Sequence, residues 1–255
     1  MKKQIPNLFT LANLFLGCIA IIYTLQPGLT LTVNSFGENL VSMPEKMMWA
    51  GWLIIAAAIV DFFDGFVARL LKVPSDLGKQ LDSLSDVVSF GVAPGLIVFQ
   101  FLRYSYSQDP GGLDISFAYL LPALFIPCAG AYRLARFNID TSQQYGFKGV
   151  PIPAVGILFA SFPMLSWYNQ ESWIAELLLN KWLWYGLVVV SSYLMISTLP
   201  ILALKFNGFT FKKGLPFILV AIIGLVTALL FGWLAVLISF FAYVIISLIF
   251  KQVEP

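Results

Sequence analysis

From about residue 7 to about residue 250 the chain is a succession of apolar runs near 20 residues long. An α-helix needs about 20 apolar residues to cross the hydrocarbon of a bilayer. Inside lipid, only helices and closed barrels satisfy their own backbone hydrogen bonds. A barrel would be written as short alternating strands, and no such pattern occurs. The composition agrees, with 59% apolar and only 11% charged residues. The expected fold class is therefore an all-α polytopic membrane protein.

Eight transmembrane spans are expected, at about 7–26, 47–70, 80–102, 115–136, 152–168, 182–204, 215–231 and 234–250. The last two are separated only by a weak break near Gly232, because no charge occurs from Gly214 to Phe250. Eight spans put both termini on one side. That side carries Lys2, Lys3, Arg69, Lys72, Lys79, Arg133, Arg136, Lys148, Lys205, Lys212, Lys213 and Lys251, which is 12 of the 15 basic residues. The other side carries Lys46, Arg103 and Lys181 against six acids. Basic loops stay in the cytoplasm, so both termini are expected there, in the cell membrane.

The N-terminus has a charged start and an apolar run, as a signal peptide does. Pro6, Asn7, Thr10 and Asn13 interrupt the run, so it reads as a retained first helix. A single domain is expected over 1–255, with a catalytic core at about 5–205 and a C-terminal helical hairpin at about 215–250. The chain has no histidine, which excludes His triads and His metal sites. Cys18 and Cys128 lie inside apolar runs and read as small buried hydrophobes. The net charge of +2 gives no reason to expect a nucleic-acid partner.

Against this apolar background stands the stretch Asp61–Phe90, with five aspartates. Ionisable groups inside a membrane segment are costly and mark function. Asp61 and Asp64 sit three apart near the cytoplasmic end of span two. Gly65 and Ala68 continue their stripe, and Arg69 lies beside it. Pro74, Ser75 and Asp76 then supply turn and cap chemistry. Span three presents Gly78, Asp82 and Asp86 at four-residue intervals, with Ser85 and Ser89 on the same face. Two antiparallel neighbours would thus converge four carboxylates. Hard divalent ions bound by oxygen are the natural compensation. Two of them would suit a diphosphate, and glycines would let a large ligand approach the backbone. A buried ion network or a cation pathway is the bland alternative.

The order Asp61-x2-Asp64-Gly65-x2-Ala68-Arg69-x8-Gly78-x3-Asp82-x3-Asp86 resembles the signature of the CDP-alcohol phosphatidyltransferases at all eight fixed positions. The resemblance implies that Asp61, Asp64 and Asp82 mainly hold two divalent cations, Mg²⁺ or Mn²⁺, on a CDP diphosphate. It implies that Asp86 is the general base for an acceptor hydroxyl and also touches metal. Gly65, Ala68, Gly78 and Arg69 would line the cytidine and phosphate site. Membrane prenyltransferases also use paired Asp motifs, but on helices far apart in sequence, whereas 17 residues separate Asp64 from Asp82 here.

Three further stretches narrow the acceptor. "IPNLFTLANLFLG" puts Pro6, Thr10, Asn13 and Gly17 on one face, with Asn7 adjacent, where a polar stripe would reach the nucleotide. Ordinary packing by small and polar residues is the competing reading. Together with "LDSLSDVVSFGVAPG" and "YRLARFNIDTSQQYGFKGVPIPA", it resembles the integral-membrane phosphatidylserine synthases of the family, over roughly residues 5–160. That implies CDP-diacylglycerol and L-serine as substrates, a cytoplasm-facing site and a homodimer. Arg133, Arg136 and Asn138, with Lys148 beyond, are the candidates for serine or a lipid phosphate, since arginine pairs bidentately with carboxylate and phosphate. As membrane-interface anchors the same bases would merely snorkel to head groups. Acceptors such as glycerol 3-phosphate or inositol phosphate also want a basic pocket.

Overall fold

The computed structural model describes residues 4–26, 29–33, 39–71, 75–109, 111–140, 147–169, 171–202 and 211–250. Pro74 of the expected turn, and Lys2, Lys3, Lys72, Lys205 and Lys251 of the charge count, lie outside them. The described chain is mostly helical. Helix α1 (Ile5–Leu25) is followed by a short hairpin, β1 (Thr30–Val33) with β2 (Asn39–Ser42). Next come α2 (Lys46–Leu71) and α3 (Asp76–Asp86). A π-helical turn at Val87–Val92 joins α3 to α4 (Ala93–Ser107) without a break in the helical path. The chain continues through α5 (Phe125–Ile139), β3 (Phe147–Lys148), α6 (Ile152–Tyr168), α7 (Ser172–Leu179) and α8 (Lys181–Ile196). It closes with β4 (Pro200–Ile201), α9 (Phe211–Phe231) and α10 (Leu234–Ile249).

Among the described residues, three helical stretches are long and apolar enough to cross a membrane: Ile5–Leu25, Asp76–Ser107 and Gly214–Phe231. A fourth arises if α7 and α8, bent by 65°, count as one. Two expected boundaries shift, each at a proline. The stretch 115–136 opens with separate 3₁₀ turns, and its α-helix begins only at Phe125, after Pro122. The stretch 182–204 ends its helix at Ile196, and Pro200 enters β4, paired with Lys148. Proline lacks the N–H that helix continuation requires. The break near Gly232 is real: its φ of +57° stops α9, a conformation that favours glycine.

Helix α1 wears its polarity inside out. Its buried stripe is Pro6, Asn7, Thr10, Asn13, Gly17, Ala20 and Thr24. Its exposed stripe is Leu8, Leu11, Phe15, Cys18 and Ile22. In water that arrangement would be unstable; against lipid it is the favourable one. The same fact corrects the reading of the cysteines. Cys18 and Cys128 are free and exposed, because the outer surface of such a bundle is as apolar as its interior.

The close packing is set by small residues. A Cβ placed on Gly17 would come within 2.8 Å of Ser89 Cα in the π turn. One on Gly91 would meet Pro127 Cα at 3.1 Å. Farther along, Phe101 stacks on Trp184 at 4.5 Å, and Phe162 meets the same indole edge-on at 4.8 Å. All seven tryptophans lie toward the end of the bundle opposite the aspartates: at the start of α2, the end of α6, in α7, at the start of α8 and in the α9–α10 turn. Gly17→Val should therefore wedge α1 from the π turn and cost about 1–3 kcal/mol. A detergent melting curve checks this, and an unchanged midpoint would show that the approach is not needed.

Candidate active site

Helix α1 packs against both α2 and the α3–π segment, whereas α2 and α3 make little direct contact. The two-helix convergence expected from sequence is thus a three-helix one, with α1 as the wedge. Ser75 caps α3, accepting from Gly78 N at 3.0 Å, which fixes where α3 begins and so where Asp82 and Asp86 point. Two serines then fasten α3 to α1. Ser85 Oγ donates to Thr10 O and Ser89 Oγ donates to Asn13 O, both at 3.0 Å.

With the backbones held, α1 reaches across to the carboxylates. Thr10 Oγ1 donates to Asp64 Oδ2 at 2.7 Å. Asn13 Nδ2 donates to Asp61 Oδ1 at 3.1 Å and lies 3.5 Å from Asp86 Oδ1. Asp61 is central, with oxygens of Asp64 and Asp82 within 4.8 Å and Asn13 shared with Asp86. Bonds to ionised acceptors are roughly twice as strong as neutral ones. They orient the carboxylates without neutralising them.

Oxygens of Asp61, Asp64 and Asp82 lie within 4.8 Å of one another. Asp86 is not a member of that trio, although Asn13 links it to Asp61. Among the described residues no lysine or arginine forms an ion pair with any of the four. Asn13 Oδ1 is buried with no partner. An all-oxygen donor set, uncompensated negative charge and an orphaned amide oxygen fit a hard divalent cation.

Beside the trio opens a cavity of about 310 Å³. Asn7, Thr10, Asp64, Gly65, Ala68, Gly78 and Asp82 line it, all expected from sequence. Pro6, Ser75 and Lys79 line it too. Lys79 was visible only as one more cytoplasmic base, although it directly follows the fixed Gly78. Gly65 leaves room under Arg69: a Cβ there would meet the guanidinium at 3.5 Å and nothing nearer.

The basic group on α5 divides. Arg136 donates to Ile196 O at 2.7 Å and Ser197 O at 2.9 Å, binding α5 to the end of α8. Asn138 Nδ2 donates to Ser83 Oγ at 2.8 Å, and its carbonyl accepts from Lys79 Nζ at 3.2 Å, binding α5 to α3. Lys148 pairs with Asp140 at 3.3 Å. Arg133 is different. It is only 6% exposed and lies in electrostatic range of Asp86, while its Nε, like that of Arg136, is buried without a partner among the described residues.

The chain matches the profile of the CDP-alcohol phosphatidyltransferases over residues 3–189. The chain belongs to that family. It is an enzyme of a membrane-embedded class, and the matched residues include every aspartate of the site. It is 36% identical over 196 residues to a Helicobacter pylori CDP-diacylglycerol–serine O-phosphatidyltransferase, covering 76% of this chain and 70% of the relative. A Bacillus subtilis protein of the same name is 33% identical over 155 residues, 61% of this chain and 72% of the relative. An archaetidylserine synthase of Methanothermobacter thermautotrophicus is 33% identical over 135 residues, 52% of this chain and 54% of the relative.

If the trio holds divalent cations, purified protein should bind Mn²⁺ in a chelator-reversible way, read by electron paramagnetic resonance. Asp61→Asn, Asp64→Asn or Asp82→Asn should each weaken it roughly tenfold or more, since affinity follows ligand charge. Unchanged affinity in all three would show that the cluster is not the metal site.

Proposed function

We propose that this enzyme transfers the phosphatidyl group of CDP-diacylglycerol to the hydroxyl of L-serine, giving phosphatidylserine and CMP. The observation that carries the acceptor is Arg133, a buried cation whose Nε has no hydrogen-bond partner among the described residues and which lies in electrostatic range of Asp86. Serine has a carboxylate two carbons from its hydroxyl. An acceptor whose carboxylate pairs with Arg133 therefore brings its hydroxyl toward Asp86. The names of the bacterial and archaeal relatives differ in the lipid but share serine.

In this reading the cavity beside Asp64 takes the cytidine diphosphate, with Asn7 and Thr10 on one wall and Asn13, which does not line it, behind on Asp61. Gly65, Ala68 and Gly78 let it approach the helices, and Arg69 and Lys79 flank it. The acyl chains stay in lipid between helices. Two divalent cations, Mg²⁺ or Mn²⁺, held by Asp61, Asp64 and Asp82 with Asp86, would neutralise the diphosphate and the leaving CMP. Asp86 takes the proton from the serine hydroxyl. The freed oxygen attacks the phosphorus bearing diacylglycerol, and the bond from that phosphorus to the CMP oxygen breaks. The diphosphate bond supplies the driving force, so positioning and charge complementarity are what the protein adds. Arg136 and Asn138 hold the wall in which Arg133 sits.

Eight spans with both termini in the cytoplasm complete the proposal, as one domain whose site faces the cytoplasm, in a homodimer. The orientation rests on the bias of the bases; the tryptophans gather at the other end, where they suit a membrane–water interface.

The test is product formation from CDP-diacylglycerol with Mn²⁺ and labelled serine, glycerol 3-phosphate or inositol phosphate, each with and without chelator. Phosphatidylserine alone, lost on chelation, is the expected result; a different phospholipid would reassign the acceptor. Asp86→Asn should lower kcat by about 100-fold or more, the scale of a missing general base, with CDP-lipid binding largely kept. Comparable turnover in that variant would remove Asp86 from the role.

A further inference from the structure

A second cavity, of about 270 Å³, opens at the end of the bundle away from the aspartates. Arg103 lines it, on the same helical path as Asp86 and about 25 Å beyond it at 1.5 Å per residue. The other walls are apolar: Leu29 before the β1–β2 hairpin, Phe99 on α4, and Ile115, Phe117 and Leu120 ahead of α5. The rings of Phe99 and Phe117 meet at 5.7 Å, and Phe117 is largely exposed, so this wall reaches the outer surface. Among the described lining residues, Arg103 carries the one charge.

The guanidinium is held by a neutral partner. Gln100, one turn back on α4, is only 2% exposed. Its Nε2 donates to Thr24 O of α1 at 3.1 Å, and its Oε1 accepts from Arg103 Nη1 at 3.4 Å. A buried polar side chain in an apolar helix is costly, and here both ends of the amide are used. One end anchors Gln100 to α1 and the other turns to the guanidinium. The charge itself is left uncancelled. Asp109 pairs with Lys181 at 2.8 Å instead, and among the described residues Arg103 forms no ion pair.

This combination selects a class of ligand. An arginine that merely snorkels to the interface needs neither a cavity nor an orienting amide. A small free anion would gain nothing from the apolar walls, and a plain hydrocarbon tail would leave the guanidinium unpaired. An amphiphile with a phosphate satisfies both, because arginine pairs bidentately with phosphate oxygens. The tryptophans gather at this end, where a bilayer places its phosphates.

We propose that this cavity binds the phosphate of an anionic membrane phospholipid in the leaflet away from the aspartates. The phosphodiester pairs with Arg103, and the glycerol and upper acyl chains lie against Phe99, Phe117 and Leu120. The site stands apart from the chemistry, so its occupancy does not depend on which alcohol accepts the phosphatidyl group.

Native mass spectrometry of the purified full chain in detergent tests it, titrating phosphatidylglycerol in the presence of chelator. Arg103→Met should raise the lipid concentration that half-fills the first bound position about tenfold, as for a lost charged hydrogen bond. Ile115→Trp fills the cavity and keeps the charge, and should weaken the lipid at least as much. Lys181→Met removes a base of the same end that is already paired, and should leave binding near wild type. Excess inorganic phosphate should not displace the lipid. Unchanged binding in Ile115→Trp would overturn the proposal, because it marks an arginine at the bilayer surface with no site behind it. An equal loss in Lys181→Met would also overturn it, as would displacement by inorganic phosphate, which marks a site for a free anion. Should Arg103→Met not fold, Ile115→Trp decides alone.

Discussion

Four carboxylates gathered between apolar helices are the constraint from which the rest of the structure follows. Desolvation and mutual repulsion both oppose their ionised forms. The chain does not meet this with arginine or lysine, since no ion pair to them forms among the described residues. It supplies neutral donors from α1 instead: Thr10 to Asp64, and Asn13 to Asp61. Neutral donors hold the carboxylates in place and leave their charge available to a cation. Salt bridges would have cancelled the charge the site depends on.

That choice dictates the character of α1. Its polar residues must point inward, so Leu8, Leu11 and Phe15 point outward, and only lipid makes such a helix favourable. Its wedge position also demands close backbone approach. Gly17 against the π turn provides this, and the Ser85 and Ser89 bonds to α1 carbonyls fasten it. Hydrogen bonds of this kind between membrane helices are individually worth about 0.6 kcal/mol. Here they serve registration more than stability: sliding α1 by one turn would carry Thr10 and Asn13 away from their aspartates.

Much of this was legible because the chemistry is written in short-range spacing. Asp61, Asp64, Asp82 and Asp86 lie within 26 residues, and the cap at Ser75 is local. The polar stripe of α1 could be seen, but not that it would stand between α2 and α3. The helical period gives a face without naming the neighbour. Cys18 shows the limit of hydropathy: in a bilayer, an apolar surroundings reading does not separate core from lipid surface. The α5 bases could not be sorted either. Arg136 is committed to carbonyls of Ile196 and Ser197, 60 and 61 residues away in sequence, and only the fold reveals that Arg133 makes no such bond among the described residues.

The distribution of contacts separates two tasks in space. Everything that lines the cavity beside Asp64 comes from α1, α2 and α3 with its cap Ser75, within the first third of the chain. Arg133 lies on α5, which Arg136 ties to the end of α8, in the second half of the chain. Asp86 is where the halves meet: Asn13 of α1 approaches it on one side, and Arg133 of α5 is in electrostatic range on the other. Under the proposed reaction this division has a use: Asp86, as the base, would have to belong to both halves, because the proton it takes comes from the acceptor and the bond that breaks belongs to the donor.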